Sequence, residues 1–171
     1  MKSTFLKSVF VLVLGFASFG ANAQGDIVSV ASGSKDHTTL VAALKAADLV
    51  KTLQGKGPFT VFAPTNAAFN KLPAGTVDNL LKPENKVVLT SILTYHVVAG
   101  NLDAAAVVAA IKKGNGKAVL TTVNGAKLTA SLEGKNVILT DEKGGKATVT
   151  ATNLKVSNGV IHVIDTVVMP K

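Results

Sequence analysis

The sequence contains no cysteine and no tryptophan, and all 18 of its basic residues are lysine. Without cysteine, a disulfide framework, a thiolate metal site, a cysteine nucleophile and a lipidated N-terminal cysteine are excluded together. Without arginine there is no planar guanidinium to grip phosphates in register, so specific nucleic-acid recognition is disfavoured. Aromatic residues make up only 5% of the 171, which leaves few rings for stacking bases. What remains is an aliphatic chain, 47% apolar, with 10 acidic residues and a net charge of +8. That apolar fraction is too high for a disordered tail, and the length fits one domain.

The first segment has the layout of an export signal. Lys2 and Lys7 precede an apolar stretch from Val9 to Leu14 continued by Phe16 and Ala17, and Ala21-Asn22-Ala23 offers a small-x-small cleavage site before Gln24. The apolar run falls well short of the roughly 20 residues that a spanning helix needs. A secretory signal peptide over residues 1–23 is therefore expected, with residues 24–171 exported to a periplasm or the exterior as a single domain. Losing the two leader lysines lowers the charge from +8 to +6, and the aromatics that stay are Phe59, Phe62, Phe69 and Tyr95. A domain of this size buries about 70% of its unfolded surface, enough for a core of Val, Leu, Ile and Ala without disulfides.

Within that domain the hydrophobic period changes part-way. Leu40, Leu44, Ala47, Leu49, Val50 and Leu53 recur at helical spacing behind Thr38 or Thr39 as N-cap, in one helix or two short ones. Gly55, Gly57 and Pro58 break the pattern, and Phe59-Thr60-Val61-Phe62-Ala63 alternates as a strand that Pro64 ends. Short helices are expected behind Thr65 or Asn66, from Thr76 to Leu81, and from Pro83 through Leu93, with Tyr95-His96-Val97-Val98 as a following strand. Asp103 can cap an alanine-rich helix to Ile111, with Lys112 and Lys113 at its negative end and Gly114 as the stop. Beyond it come five β-rich runs, at 118–123, 126–132, 136–140, 147–151 and 160–168, separated by turn formers such as Asn124-Gly125 and Lys143-Gly144-Gly145. Helices followed by an antiparallel meander predict an α+β fold.

Three segments carry a family likeness: Thr60-Val61-Phe62-Ala63-Pro64-Thr65-Asn66-Ala67-Ala68-Phe69, then Tyr95-His96-Val97-Val98, then Asn158-Gly159-Val160-Ile161-His162-Val163-Ile164-Asp165. Together, over Asp26 to Pro170, they resemble the fasciclin (FAS1) domain family. The resemblance implies a wedge in which an antiparallel β-sandwich of about seven strands is covered by several short helices. It implies a secreted or surface protein used in adhesion or matrix interaction, not a catalyst. It marks Tyr95 and His96 as candidate binding residues, since that region is associated with adhesion in animal relatives. It also marks Phe62, Pro64, Thr65, Asn66, Phe69, Asn158, Gly159 and His162 as the structural motif. Animal members present an acidic-aliphatic pair before the closing block; here the pair is Asn153-Leu154, with an amide in place of the carboxylate.

The residues read by themselves agree about the motif. Three of the four remaining aromatics lie in or beside the first block, where an alanine-rich domain needs anchors. Pro64-Thr65-Asn66 stops a strand and caps a helix. His96 and His162 sit among apolar residues on expected strands, bonded to neighbouring groups, and two histidines without cysteine make a poor metal set even if Asp165 joined them. His37 is expected to be solvated in a polar loop, and Asp141-Glu142 to form a solvated hairpin tip. Ser32-Gly33-Ser34-Lys35 has the S-x-x-K spacing but lacks both companion motifs, and no other catalytic signature holds up. No cofactor is expected.

Two functions remain open: surface interaction with another protein or a polysaccharide, and a soluble carrier of a small apolar or lipid ligand. The lysines either draw anionic partners through a screened field or simply keep the domain soluble. Phe62→Ala should cost about 3 to 5 kcal/mol if the ring is fully buried, read as a shift in the denaturation midpoint at constant slope.

Overall fold

The computed structural model describes residues 25–171, and the signal peptide expected over residues 1–23 lies outside them. The helical half runs α1 (Ile27–Gly33), α2 (Thr38–Ala46), α3 (Val50–Leu53), β1 (Phe59–Pro64), α4 (Asn66–Asn70), α5 (Thr76–Leu80), α6 (Lys86–Tyr95), β2 (Val97–Ala99) and α7 (Ala104–Lys113). The strand half follows as β3 (Lys117–Thr121), β4 (Lys127–Glu133), β5 (Asn136–Thr140), β6 (Lys146–Val156) and β7 (Gly159–Ile164). The strands lie in the order β2-β1-β7-β6-β5-β4-β3. From β3 to β7 each strand is antiparallel to the next, whereas β1 runs parallel to β7 and antiparallel to β2. The sheet curls until its ends meet: Thr122, just past β3, bridges Val98, and the Val123 N–H donates to the Val97 carbonyl at 2.7 Å. The predicted α+β class and strand number hold, in a sheet that nearly closes into a barrel.

Two apolar clusters follow from the two-residue period of β1. Val61 and Ala63 face the helices, joining Ile27, Leu40, Leu44, Leu93 and Phe69. Phe62 points the other way, into the curled sheet with Tyr95, Leu128, Leu139, Ile164 and Ile111 of α7. Both faces of β1 are therefore buried, which is why this segment reads as nearly continuous apolar sequence.

Several local expectations were corrected. The region before residue 34 forms α1, capped by Asp26, whose carboxylate accepts from the Ser29 N–H at 2.7 Å. Ser32 and Gly33 end that helix, and Ser32 is exposed. His37 is buried, not solvated: a 3₁₀ turn over Lys35–His37 tucks the ring inside, with Nδ1 2.8 Å from Ser34 Oγ. Its Nε2 finds no hydrogen-bond partner among the described residues. Of the one helix or two short ones expected from Leu40 to Leu53, the structure has two, split by Asp48, which has a φ of 56°. Neither threonine caps α2. Asn66 does so across the chain, its Oδ1 accepting from the Thr39 N–H at 3.0 Å and from Thr38 Oγ1 at 3.2 Å. Its amide returns a bond to the Lys35 carbonyl at 2.9 Å, so α4 and α2 are fixed to each other.

β1 and β7 approach so closely that the residue opposite Phe59 must be Gly159: a Cβ there would stand 1.9 Å from the Phe59 carbonyl oxygen. Asn158 clamps the same corner. Its amide donates to the carbonyls of Leu53 at 2.6 Å and Gly55 at 3.1 Å, while its Oδ1 accepts from the Ile27 N–H at 3.1 Å. Asn158→Ala should destabilise the protein by about 1 to 3 kcal/mol, the cost of leaving half-buried main-chain groups unpaired, measurable by urea denaturation.

Candidate functional site

The three motif segments meet at the centre of the molecule. Phe62 and His162 are partners in the parallel β1–β7 register, and their rings stack with centroids 5.6 Å apart and planes 25° from parallel. His162 Nε2 lies 2.7 Å from the Leu102 carbonyl and Nδ1 lies 3.4 Å from the Asn153 N–H. A carbonyl only accepts and an amide N–H only donates, so the proton sits on Nε2 and the ring is neutral. Burial lowers its pKa, opposed by the Leu102 carbonyl and the charge of Asp103. Asn153 is held in the left-handed region, with φ 61°, at an irregularity of β6. Its Oδ1 accepts from the Ala104 N–H at 2.8 Å, beside Asp103, which caps α7 by accepting from the Ala106 N–H at 2.8 Å. Asn153 thus serves the start of α7.

Tyr95 and His96 end α6; they do not lie on a strand as expected. The apolar face of α6 continues through Leu93, and β-branched Val97 and Val98 begin β2 only after His96 closes the helix. His96 Nδ1 lies 2.8 Å from the Ile92 carbonyl, and its Nε2 accepts from the Val168 N–H at 3.2 Å. This fixes the opposite tautomer from His162, again neutral. Burial pushes the His96 pKa down to about 4, opposed by the Ile92 carbonyl and by Asp141. The Tyr95 hydroxyl donates to the Lys127 carbonyl at 2.8 Å, and burial pushes its pKa up to about 12. With exposures of 0% for Tyr95 and 2% for His96, neither ring has surface to offer a partner in this structure.

The rest of the first block is equally occupied. Thr65 caps α4, its hydroxyl accepting from the Ala68 N–H at 3.2 Å, and Pro64 is the last residue of β1. Phe69 is buried under the helices. Asp141 corrects the expectation of a solvated hairpin tip, because it is buried. One carboxylate oxygen accepts from the N–H groups of Lys143 at 3.0 Å and Gly145 at 2.7 Å, and the other from Met169 at 3.0 Å. Glu142 stays exposed and accepts from the main-chain N–H groups of Lys127 and Lys171. The hairpin tip thereby latches the C-terminal segment. Its sequence signal was the aspartate preceding a glycine-rich turn, a pattern that satisfies its own backbone.

Among the described residues no group of three or more His, Asp or Glu side chains is placed to hold a metal ion, and no helix is long and apolar enough to cross a membrane. The larger cavities are open grooves. One of about 590 Å³ runs along Gln54–Pro58, Asn101 and Val156–Gly159, and one of about 330 Å³ lies between Val87, Val88 and Ile92 of α6 and Met169-Pro170. The spaces reaching the core are far smaller, about 10 Å³ beside Phe62 and His162 and about 40 Å³ beside His37.

The model of the fasciclin domain family matches residues 35–170. The chain belongs to the fasciclin domain family. It is 51% identical over 144 residues to protein sll1483 of Synechocystis, covering 84% of this chain and 73% of that one. It is 36% identical over 161 residues to the cell surface glycolipoprotein MPB83 of Mycobacterium bovis, covering 91% of this chain and 66% of that one. A solved FAS1 domain pair from the insect cell adhesion molecule fasciclin I superposes with a TM-score of 0.58 at 23% identity. The match covers 76% of this chain and spans 43% of that structure, and it bears on the fold alone.

His96 binds a proton more weakly folded, with a pKa of about 4, than unfolded, with one of about 6.5. Stability therefore rises with pH across this window: the contribution of the neutral ring is complete above about 6.5 and is lost as pH falls towards 4. His37 and His162 shift in the same direction. The lowered carboxylates Asp26 and Asp165 take up protons only below this window. Urea denaturation should show up to about 3 kcal/mol lost from His96 between neutral pH and pH 4, with a flatter profile in His96→Gln.

Proposed function

We propose that this chain is an exported, non-catalytic interaction module that meets its partner at the cell surface or beyond it. One observation carries the reading: the polar groups of the motif side chains are turned inward and bonded to the protein itself. Thr65, Asn66, Asn158, Tyr95, His96 and His162 all hold main-chain groups of neighbouring elements. What is left for function is the outer surface. The signal-like segment at residues 1–23 and the name of MPB83 as a cell surface glycolipoprotein support this placement. On this reading Tyr95 and His96 contribute to binding by positioning α6 and β2, with exposed side chains making the contact.

The alternative of a carrier for an apolar ligand receives less support. A ligand of that class needs an enclosed site of several hundred cubic ångströms, and the spaces reaching the core hold about 10 and 40 Å³. The purified protein should bind a surface polysaccharide or surface protein in a screen of glycans, anionic lipids and matrix proteins at two salt concentrations. Retention of a fatty acid or other apolar ligand, with no surface partner found, would replace this reading with the carrier.

A further inference from the structure

The outer face of β3–β6 has a regular composition. The alternation along these strands turns Leu128, Ala130, Leu139 and Ala147 inward and sets their neighbours on the other face, where Lys117, Val119 and Lys146 are exposed, Thr129, Ser131, Thr140 and Thr148 are half-buried and Ile138 is buried. The strand register arranges those neighbours in two rows across the four strands. One row is Val119, Thr129, Thr140 and Lys146; the other is Lys117, Ser131, Ile138 and Thr148. Each row carries hydroxyls and ends in a lysine, at opposite edges, with successive residues about 4.8 Å apart.

Charge gathers at one end of this face. α7 finishes in Lys112 and Lys113, the chain enters β3 at Lys117, and the turn from neighbouring β4 into β5 carries Lys135. All four are exposed, and among the described residues none takes part in an ion pair. Of the acids nearest them, Glu133 lies on this same face at the same end, and the others are engaged away from the four lysines. Glu133 pairs with Lys146 at 2.8 Å, Asp165 with Lys71 at 3.6 Å, and Asp103 caps the far end of α7. Asp141 and Glu142, at the opposite end of β5, accept from main-chain N–H groups.

We propose that this face binds a linear acidic polysaccharide, with carboxylate or sulfate groups at Lys112, Lys113, Lys117 and Lys135 and sugar hydroxyls along the threonine and serine rows. The proposal rests on the reading of the chain as a surface-interaction module and names its partner. Charge complementarity selects a polyanion, and the neighbouring chemistry selects among polyanions. Single-stranded nucleic acid needs exposed rings to stack its bases, whereas Phe62, Phe69 and Tyr95 are buried and Phe59 is half-buried. A membrane surface favours an apolar insertion beside the cations, and this face offers Val119 as its one exposed large apolar side chain. A protein hot spot favours Trp, Tyr or Arg, and none of these lies on it. Hydroxyls interleaved with lysines suit a hydroxyl-rich, charged sugar chain.

The test compares immobilised polygalacturonate and dextran sulfate with neutral dextran, a DNA duplex, single-stranded DNA and phosphatidylglycerol vesicles. The protein should bind the two acidic polysaccharides in preference to all the others, with affinity falling as salt rises. The combined variant Lys112→Gln, Lys113→Gln, Lys117→Gln and Lys135→Gln should lose roughly tenfold or more. A charge-matched control with Lys45, Lys51, Lys56 and Lys82 changed to Gln should bind nearly as the parent does. Thr129→Val with Ser131→Ala should weaken binding without changing its salt slope. Equal loss in the two lysine variants, tighter binding to DNA or vesicles, or no polysaccharide binding at low salt would each overturn the proposal. Capture of a surface protein by the four-lysine variant at undiminished affinity would leave the interaction reading standing and remove this partner.

Discussion

β1 and β7 run side by side in parallel, from Phe59 opposite Gly159 to Pro64 opposite Ile164, and both faces of the β1 strand are covered. Antiparallel hairpins can form from local sequence, but this pair joins residues a hundred positions apart. Its register determines which side chains enter which cluster. A slip by one residue would exchange Phe62 with Val61 and Ala63, placing a ring where the helices pack and leaving a void inside the curled sheet. Gly159 protects the register sterically, and Asn158 ties the same corner to α1 and to the segment after α3.

The polar groups around this pair are buried and almost all bonded, which explains how an interior can hold histidines. His96 and His162 are neutral with opposite tautomers, each fixed by one carbonyl and one main-chain N–H. In both cases burial is the larger influence on proton affinity and hydrogen bonding opposes it. Such groups specify the structure, because an alternative packing would leave a buried donor or acceptor unpaired. The same logic extends to Asp141 and Asn66, whose side chains replace hydrogen bonds that the loops and helix ends cannot supply for themselves.

With the motif side chains bonded within the interior, what remains for contact is the surface. Lysines fill every basic position, and three of them form ion pairs among the described residues. An ammonium group is a compact point charge without the fixed fork of a guanidinium, so it favours loose attraction over a planar, bidentate grip. This property suits a partner with repeated anionic groups, and it arises from composition and placement together.

Much of the fold was legible in the sequence because its signals are local. Alternation marked β1, turn formers delimited the meander, and Asp103 announced α7 through a cap bonded three residues away. The three motif segments were visible as well, and with them the family. The helix over Ile27–Gly33 is not legible in the sequence because it is one short stretch whose apolar face gains meaning only against Leu44 and Leu53. His37 and Asp141 read as solvated because their neighbours in sequence are polar, but burial depends on neighbours in space. His96 reads as a strand residue because valines follow it, whereas its main-chain N–H donates to the Leu93 carbonyl and its ring bonds to that of Ile92, making it the end of a helix. Composition, leader pattern, local elements and family were thus determined by the sequence by itself, through interactions spanning a few residues. Which polar groups are buried, which tautomer each histidine adopts and where the lysines gather were decided by the tertiary structure, because these depend on contacts between segments far apart in the chain.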